Sequence, residues 1–116
     1  MIPITDAERR GWQRIAYQAL GIILDRGRAA GLAPINWEIK DTAVILGAVP
    51  NHADLSPEGQ RDLFDAWVSL LELTVGAEYQ REESTALRAS VERLDLGHRF
   101  PHRPKVVITA TIWEDK

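Results

Sequence analysis

Cysteine is missing from all 116 residues, which excludes disulfides, thiolate-metal sites and cysteine nucleophiles and fits a reducing compartment. Long apolar runs are missing too: none approaches the roughly 20 residues of a membrane span, and Met1-Ile2-Pro3-Ile4-Thr5-Asp6 lacks the basic and apolar regions of a secretion signal. A cytoplasmic protein with no membrane partner is expected. Excess positive charge is the third absence. At a formal net charge of -3, the chain lacks the Lys and Arg surplus with which a whole surface grips nucleic acid, although a local basic patch stays open. Eleven of the fourteen basic residues are Arg, a composition suited to planar recognition of carboxylate or phosphate and equally a mark of a GC-rich genome. The sequence also contains no Gly-x-Ser-x-Gly, no phosphate-cradling Gly-rich loop ending in Lys-Ser/Thr and no His-Glu-x-x-His.

What is present is a regular alternation of helix and strand signals. Thr5-Asp6-Ala7-Glu8 has the form of a capping box, in which the Thr5 hydroxyl accepts from the Glu8 amide. Trp12, Ile15, Ala16, Ala19, Ile22 and Ile23 follow at helical spacing, and Gly31 with Pro34 supplies the stop. Gly11, Gly21 and Gly27 each weaken this helix by about 1 kcal/mol relative to Ala, so it depends on packing. Ile35 to Lys40 and Ala43 to Val49 are short and β-branched, and Asp41-Thr42 between them predicts a tight hairpin. Apolar residues on both faces of the second segment predict a central or doubly covered strand. Ser56 as N-cap and Pro57 at the first helical position begin a second helix, expected to run to about Thr74 and to stop at Gly76. Its apolar stripe is Leu63, Phe64, Trp67, Leu70, Leu71 and Thr74.

The last third predicts a long antiparallel hairpin. In Lys105 to Trp113, Val106, Ile108, Ala110 and Ile112 alternate with Val107, Thr109, Thr111 and Trp113, the period of a strand. The partner is the segment Thr85 to Leu94, where Leu87, Ala89 and Val91 alternate with Arg88, Ser90 and Glu92. Helical spacing of Leu87, Val91 and Leu94 competes, but the final strand needs a partner for its backbone groups. The expected fold is α+β in the order α-β-β-α-β-β, with two helices on one face of a four-stranded antiparallel sheet. The chain is expected to form a single domain over residues 1–116. The opposite face would carry Arg88, Ser90 and Glu92, Trp37 and Ile39 or their neighbours, and Ile45, Val107 and Trp113.

Two groups of residues are candidates for function. Val107, Thr109, Thr111 and Trp113 form the outward row of the last strand and are the interface candidates, with Trp113 as anchor, because aromatic residues are enriched at interfaces. Trp12, Trp37 and Trp67 are expected in the core. The hairpin tip carries His98, Arg99, Phe100, His102, Arg103 and Lys105, a basic cluster with a ring of the kind that stacks single-stranded bases. Metal ligation by His98 with His102, or by His52 with Asp54, is not expected, since a third ligand is missing and a proline separates the first pair. Asp62, Asp65 and Glu72 are expected to form a polar helix face. No catalytic, cofactor or metal residue is assigned.

Gly31-Leu32-Ala33-Pro34-Ile35-Asn36-Trp37 and Gln60-Arg61-Asp62-Leu63-Phe64-Asp65-Ala66-Trp67, with Thr111-Ile112-Trp113-Glu114-Asp115 at the end, resemble small cytoplasmic proteins of Streptomyces-type actinobacteria and of their phages and mobile elements. That group has no settled activity, so the resemblance implies an accessory or phage-related protein and carries over no residue role. The expectation is a non-enzymatic interaction module, a homodimer or a binder of another protein. A nucleic-acid-binding regulator using the basic tip is the alternative, and a small enzyme the third reading.

Overall fold

Eight elements follow one another along the chain in the computed structural model, which describes residues 3–40, 43–51 and 54–113. Helix α1 spans Asp6–Ala29, strands β1 and β2 span Asn36–Ile39 and Ile45–Ala48, and helix α2 spans Pro57–Leu71. Strands β3 (Thr74–Val75), β4 (Tyr79–Gln80), β5 (Ser84–Val91) and β6 (Val106–Trp113) complete the fold. The class is α+β. The sheet is mixed and six-stranded, in the order β1-β2-β6-β5-β3, with β4 also paired to β5.

The helix ends follow local chemistry. The Glu8 amide donates to Thr5 Oγ1 at 3.1 Å and the Gly59 amide to Ser56 Oγ at 3.0 Å, so each helix begins at its expected cap. After α1 the Leu32 amide reaches the Gly27 carbonyl at 2.9 Å and Gly31 adopts φ +73°, which closes the helix by a left-handed turn. Helix α2 ends earlier than Thr74. Glu72 takes the left-handed conformation (φ 55°, ψ 46°), and the Leu73 amide donates to the Val68 carbonyl at 3.0 Å. The stop therefore comes from a non-glycine residue, and Thr74 belongs to an edge strand rather than to the helical stripe.

Both helices pack on one side of the sheet. Ala16, Ala19 and Ile23 of α1, Phe64, Trp67, Val68 and Leu71 of α2, and Ile45, Leu87, Ala89, Val106, Ile108, Ala110 and Ile112 of the sheet form one buried core. Each large aliphatic or aromatic side chain among them stabilises the fold by about 1.5–3 kcal/mol. Where α1 meets α2, a Cβ added at Gly27 would come within 2.8 Å of Trp67 Cζ2, so this helical position has room only for glycine. The Trp67 indole donates to the Ala33 carbonyl at 3.0 Å and meets Trp37 edge to face, with centroids 5.4 Å apart. Gln60, 1% exposed, ties α2 to the sheet by donating to the carbonyls of Pro50 (3.2 Å) and Thr111 (3.5 Å). Of the tryptophans expected in the core, Trp67 is buried and Trp37 half-buried, while Trp12 is half-buried outside the core cluster.

The β1–β2 and β5–β6 pairs form antiparallel, as expected from the sequence, and Asp41-Thr42, the expected turn of the first, lies outside the described residues. The four-stranded antiparallel sheet requires correction in two respects. First, β2 pairs with β6 in parallel, Ile45 opposite Val106 through Ala48 opposite Thr109. No turn joins these strands, so no local signal marks the pairing. Second, β3 and β4 extend the sheet along the free edge of β5. From Val75 to Tyr79 the edge takes four steps, against three from Ala89 to Ala86 on β5, so one extra residue bulges at 76–78. Strand β5 also stops at Val91 instead of reaching Leu94, which is buried beyond it.

Candidate functional site

Pairing in register fixes which side chains share the face away from the helices. Opposite residues of neighbouring strands lie on the same side, so Asn36 and Glu38 of β1, Leu46 and Ala48 of β2, and Val107 and Thr109 of β6 fall together. Ala86, Arg88 and Ser90 of β5, with Tyr79 of β4, continue that face beyond Thr111. Trp37, Ile39 and Ile45 lie on the other side, against the helices. Ile45, expected outside, is fully buried there because Val106 sits opposite it in the core.

The four interface candidates lie in one row but differ in exposure. Val107 is 4% exposed, flanked in register by Leu46 and Ser90. Thr109 and Thr111 are open to solvent, and Trp113 is 48% exposed at the end of the row. Tyr79, at 64% exposure, stands one strand beyond Ala86 on the same face and has the Arg81 guanidinium 5.6 Å from its ring centroid. Beside Val107 and Thr109, with Asn36, Glu38, Leu46 and Ala48, is a depression of about 350 Å³. Sequence reasoning missed Tyr79, because a two-residue strand shows no periodicity. Leu46 and Ala48 share the parity of Val44, and that parity was readable in the sequence; which face it occupies depends on the parallel pairing with β6.

The basic hairpin connection does not project as a free tip. Arg26 of α1 donates to the Asp95 carbonyl at 3.4 Å, the Leu94 amide donates to the Pro104 carbonyl at 2.8 Å, and Leu94, Leu96 and Pro104 are buried. The connection is thereby laid against α1. Asp95 organises its first turn. Its carboxylate accepts from the Gly97 amide at 2.9 Å and faces Arg103 at 3.9 Å. The Gly97 hydrogen bond, then the Arg103 charge, hold the Asp95 carboxyl below the ordinary range, with smaller help from His98 and Arg26 against a slight opposing effect of burial.

Lys105 pairs with Glu92 at 3.3 Å, and the Phe100 and His102 rings meet edge to face with centroids 5.5 Å apart. His98 and Arg99 are exposed, and Arg99 has no ion pair among the described residues. Exposed pairs of this kind contribute about 0–1 kcal/mol, so they place side chains rather than hold the fold together.

No three His, Asp or Glu side chains converge as a metal site among the described residues, and His52 lies outside them. Asp62, Asp65 and Glu72 are exposed on or next to α2. No helix of the described residues is long and apolar enough to cross a membrane. No protein-family model, curated protein or solved structure matches the chain.

Proposed function

We propose that this protein is a non-enzymatic interaction module that self-associates as a homodimer through the helix-free face of its sheet. The observation that carries this reading is the pair of large exposed rings, Trp113 and Tyr79, on the same face as Val107, Leu46 and Ala48. Helices cover one side of the sheet, and an antiparallel or mixed sheet left open on the other side usually presents polar residues there. Here the open face mixes threonines with aliphatic and aromatic side chains, a composition that fits the core and rim of a protein interface. A second copy is the simplest occupant, because a twofold axis would let the β6 row meet its own equivalent. The resemblance to small actinobacterial and phage proteins supports an accessory role in the cytoplasm, with no cofactor.

Light scattering with size-exclusion chromatography tests the reading. The native chain is expected to elute as a dimer and Trp113→Arg as a monomer with unchanged far-UV circular dichroism. A monomer in both would overturn it.

A further inference from the structure

A cleft of about 280 Å³ separates the N-terminal half of α1 from the far end of the hairpin connection. Its two walls differ in chemistry. One is apolar and aromatic, built from Trp12, Ile15 and Ala16 on successive turns of α1; the other carries His102, Arg103 and Lys105. None of the described residues lining it is a carboxylate.

Each basic group is held by a contact that lies outside the cleft: His102 by the Phe100 ring, Arg103 by Asp95, and Lys105 by Glu92. Neither Glu92 nor Asp95 lines the cleft. The backbone between them is stiff, since Pro101 and Pro104 fix their own φ angles and the Pro104 carbonyl is anchored to the Leu94 amide. The backbone that carries these donors is therefore set before any ligand arrives, which lowers the ordering cost of binding, while the exposed pairs, worth about 0–1 kcal/mol, yield readily to an anion.

We infer that this cleft binds a small aromatic phosphate, a nucleoside monophosphate, with its base seated against Trp12 and its phosphate held by Arg103 and Lys105. Volume decides the scale: 280 Å³ lies just below the roughly 300–1,000 Å³ typical of ligand pockets, which limits the occupant to about the size of a mononucleotide. The arginine supplies a planar fork suited to two phosphate oxygens, and the lysine adds a point charge beside it. Ile15 and Ala16 extend the apolar wall beside Trp12. The inference does not depend on the sheet face, because the cleft lies on the helix-covered side of the molecule and shares no residue with the interface row.

The probe is adenosine 5′-monophosphate, followed by tryptophan fluorescence and by calorimetry. Saturable binding to the native chain is expected, with affinity lowered about tenfold or more in Arg103→Ala/Lys105→Ala, whose substituted side chains are both solvent-accessible, and with adenosine binding correspondingly weaker. In Trp12→Leu the fluorescence response should vanish while calorimetry still records weakened binding. A 5′-phosphorylated oligothymidylate that displaces the monophosphate would identify a strand end as the source of the same chemistry. Failure to displace would identify a free nucleotide, and either result supports the cleft. Three results would overturn it: no saturable signal at millimolar nucleotide, equal affinity for adenosine and its monophosphate, or an undiminished fluorescence response in Trp12→Leu.

Discussion

Gly27 and Gly21 are both helical glycines of α1, and the intrinsic preference for alanine is the same at each, about 1 kcal/mol. Their surroundings give opposite outcomes. A Cβ at Gly21 meets nothing within 4 Å, whereas at Gly27 it meets three atoms of the Trp67 indole closer than 3.0 Å. Trp67 is 2% exposed and hydrogen-bonded to Ala33, so it cannot swing aside without losing that bond. Overpacking of this kind costs about 1–3 kcal/mol. Gly21→Ala should therefore raise the stability measured by urea unfolding by about 0.5–1 kcal/mol. Gly27→Ala should lower it, by up to about 2 kcal/mol after its propensity gain is subtracted. Equal shifts in the two variants would mean that the indole yields freely and that propensity alone governs the helix.

Among the elements, the connection from β5 to β6 is where charge and conformation meet. Because the folded-state pKa of Asp95 is depressed, its ionised form is the one that the Gly97 amide and Arg103 favour. The contribution is complete above the unfolded value near 3.9 and is lost as pH falls through the lower folded value. The turn should thus be insensitive to pH around neutrality and loosen only in acid. An NMR titration of the Gly97 amide should show its shift moving with a midpoint below 3.9. That transition should be absent in Asp95→Asn, and a midpoint at or above the ordinary aspartate value would remove the assigned cause.

The same element shows how far local sequence reaches. Caps at Thr5 and Ser56, the alternation in β5 and β6 and the antiparallel β1–β2 pairing were all legible, because each depends on local patterns in the chain. The basic cluster was visible as composition. Its position against α1 was not, since Arg26 and Asp95 meet from distant parts of the chain and Trp12 and Lys105 come to line one cleft from as far apart. The end of α2 at Leu71 was hidden for another reason: Glu72 adopts a left-handed conformation that sequence rules reserve mainly for Gly and Asn.

Across the whole molecule, the parallel β2–β6 pair places β6 in the interior of the sheet, and this sets how stability is distributed. Over Val106–Thr109 the strand is flanked on both sides, by β2 and by β5, and its alternate side chains Val106 and Ile108 are fully buried under the helices. Strands β3 and β4 contribute two residues each along an edge, all exposed, with a bulge between them. Val75 lies on the helix side by its pairing with Ala89 and is still 53% exposed, so the helical layer stops short of this edge. Local opening at β3 and β4 therefore breaks few contacts, whereas releasing β6 separates both halves of the sheet and exposes the core. Native-state hydrogen exchange should find the ladder amides of Val106–Thr109 exchanging only through global unfolding. The ladder amides of β3 and β4 should exchange at least about 100-fold faster, since such openings span the range from near zero to the global free energy. If the two sets exchanged at the same rate, the edge would have to open together with the core, and the mixed sheet would be a single cooperative unit from β1 to β3.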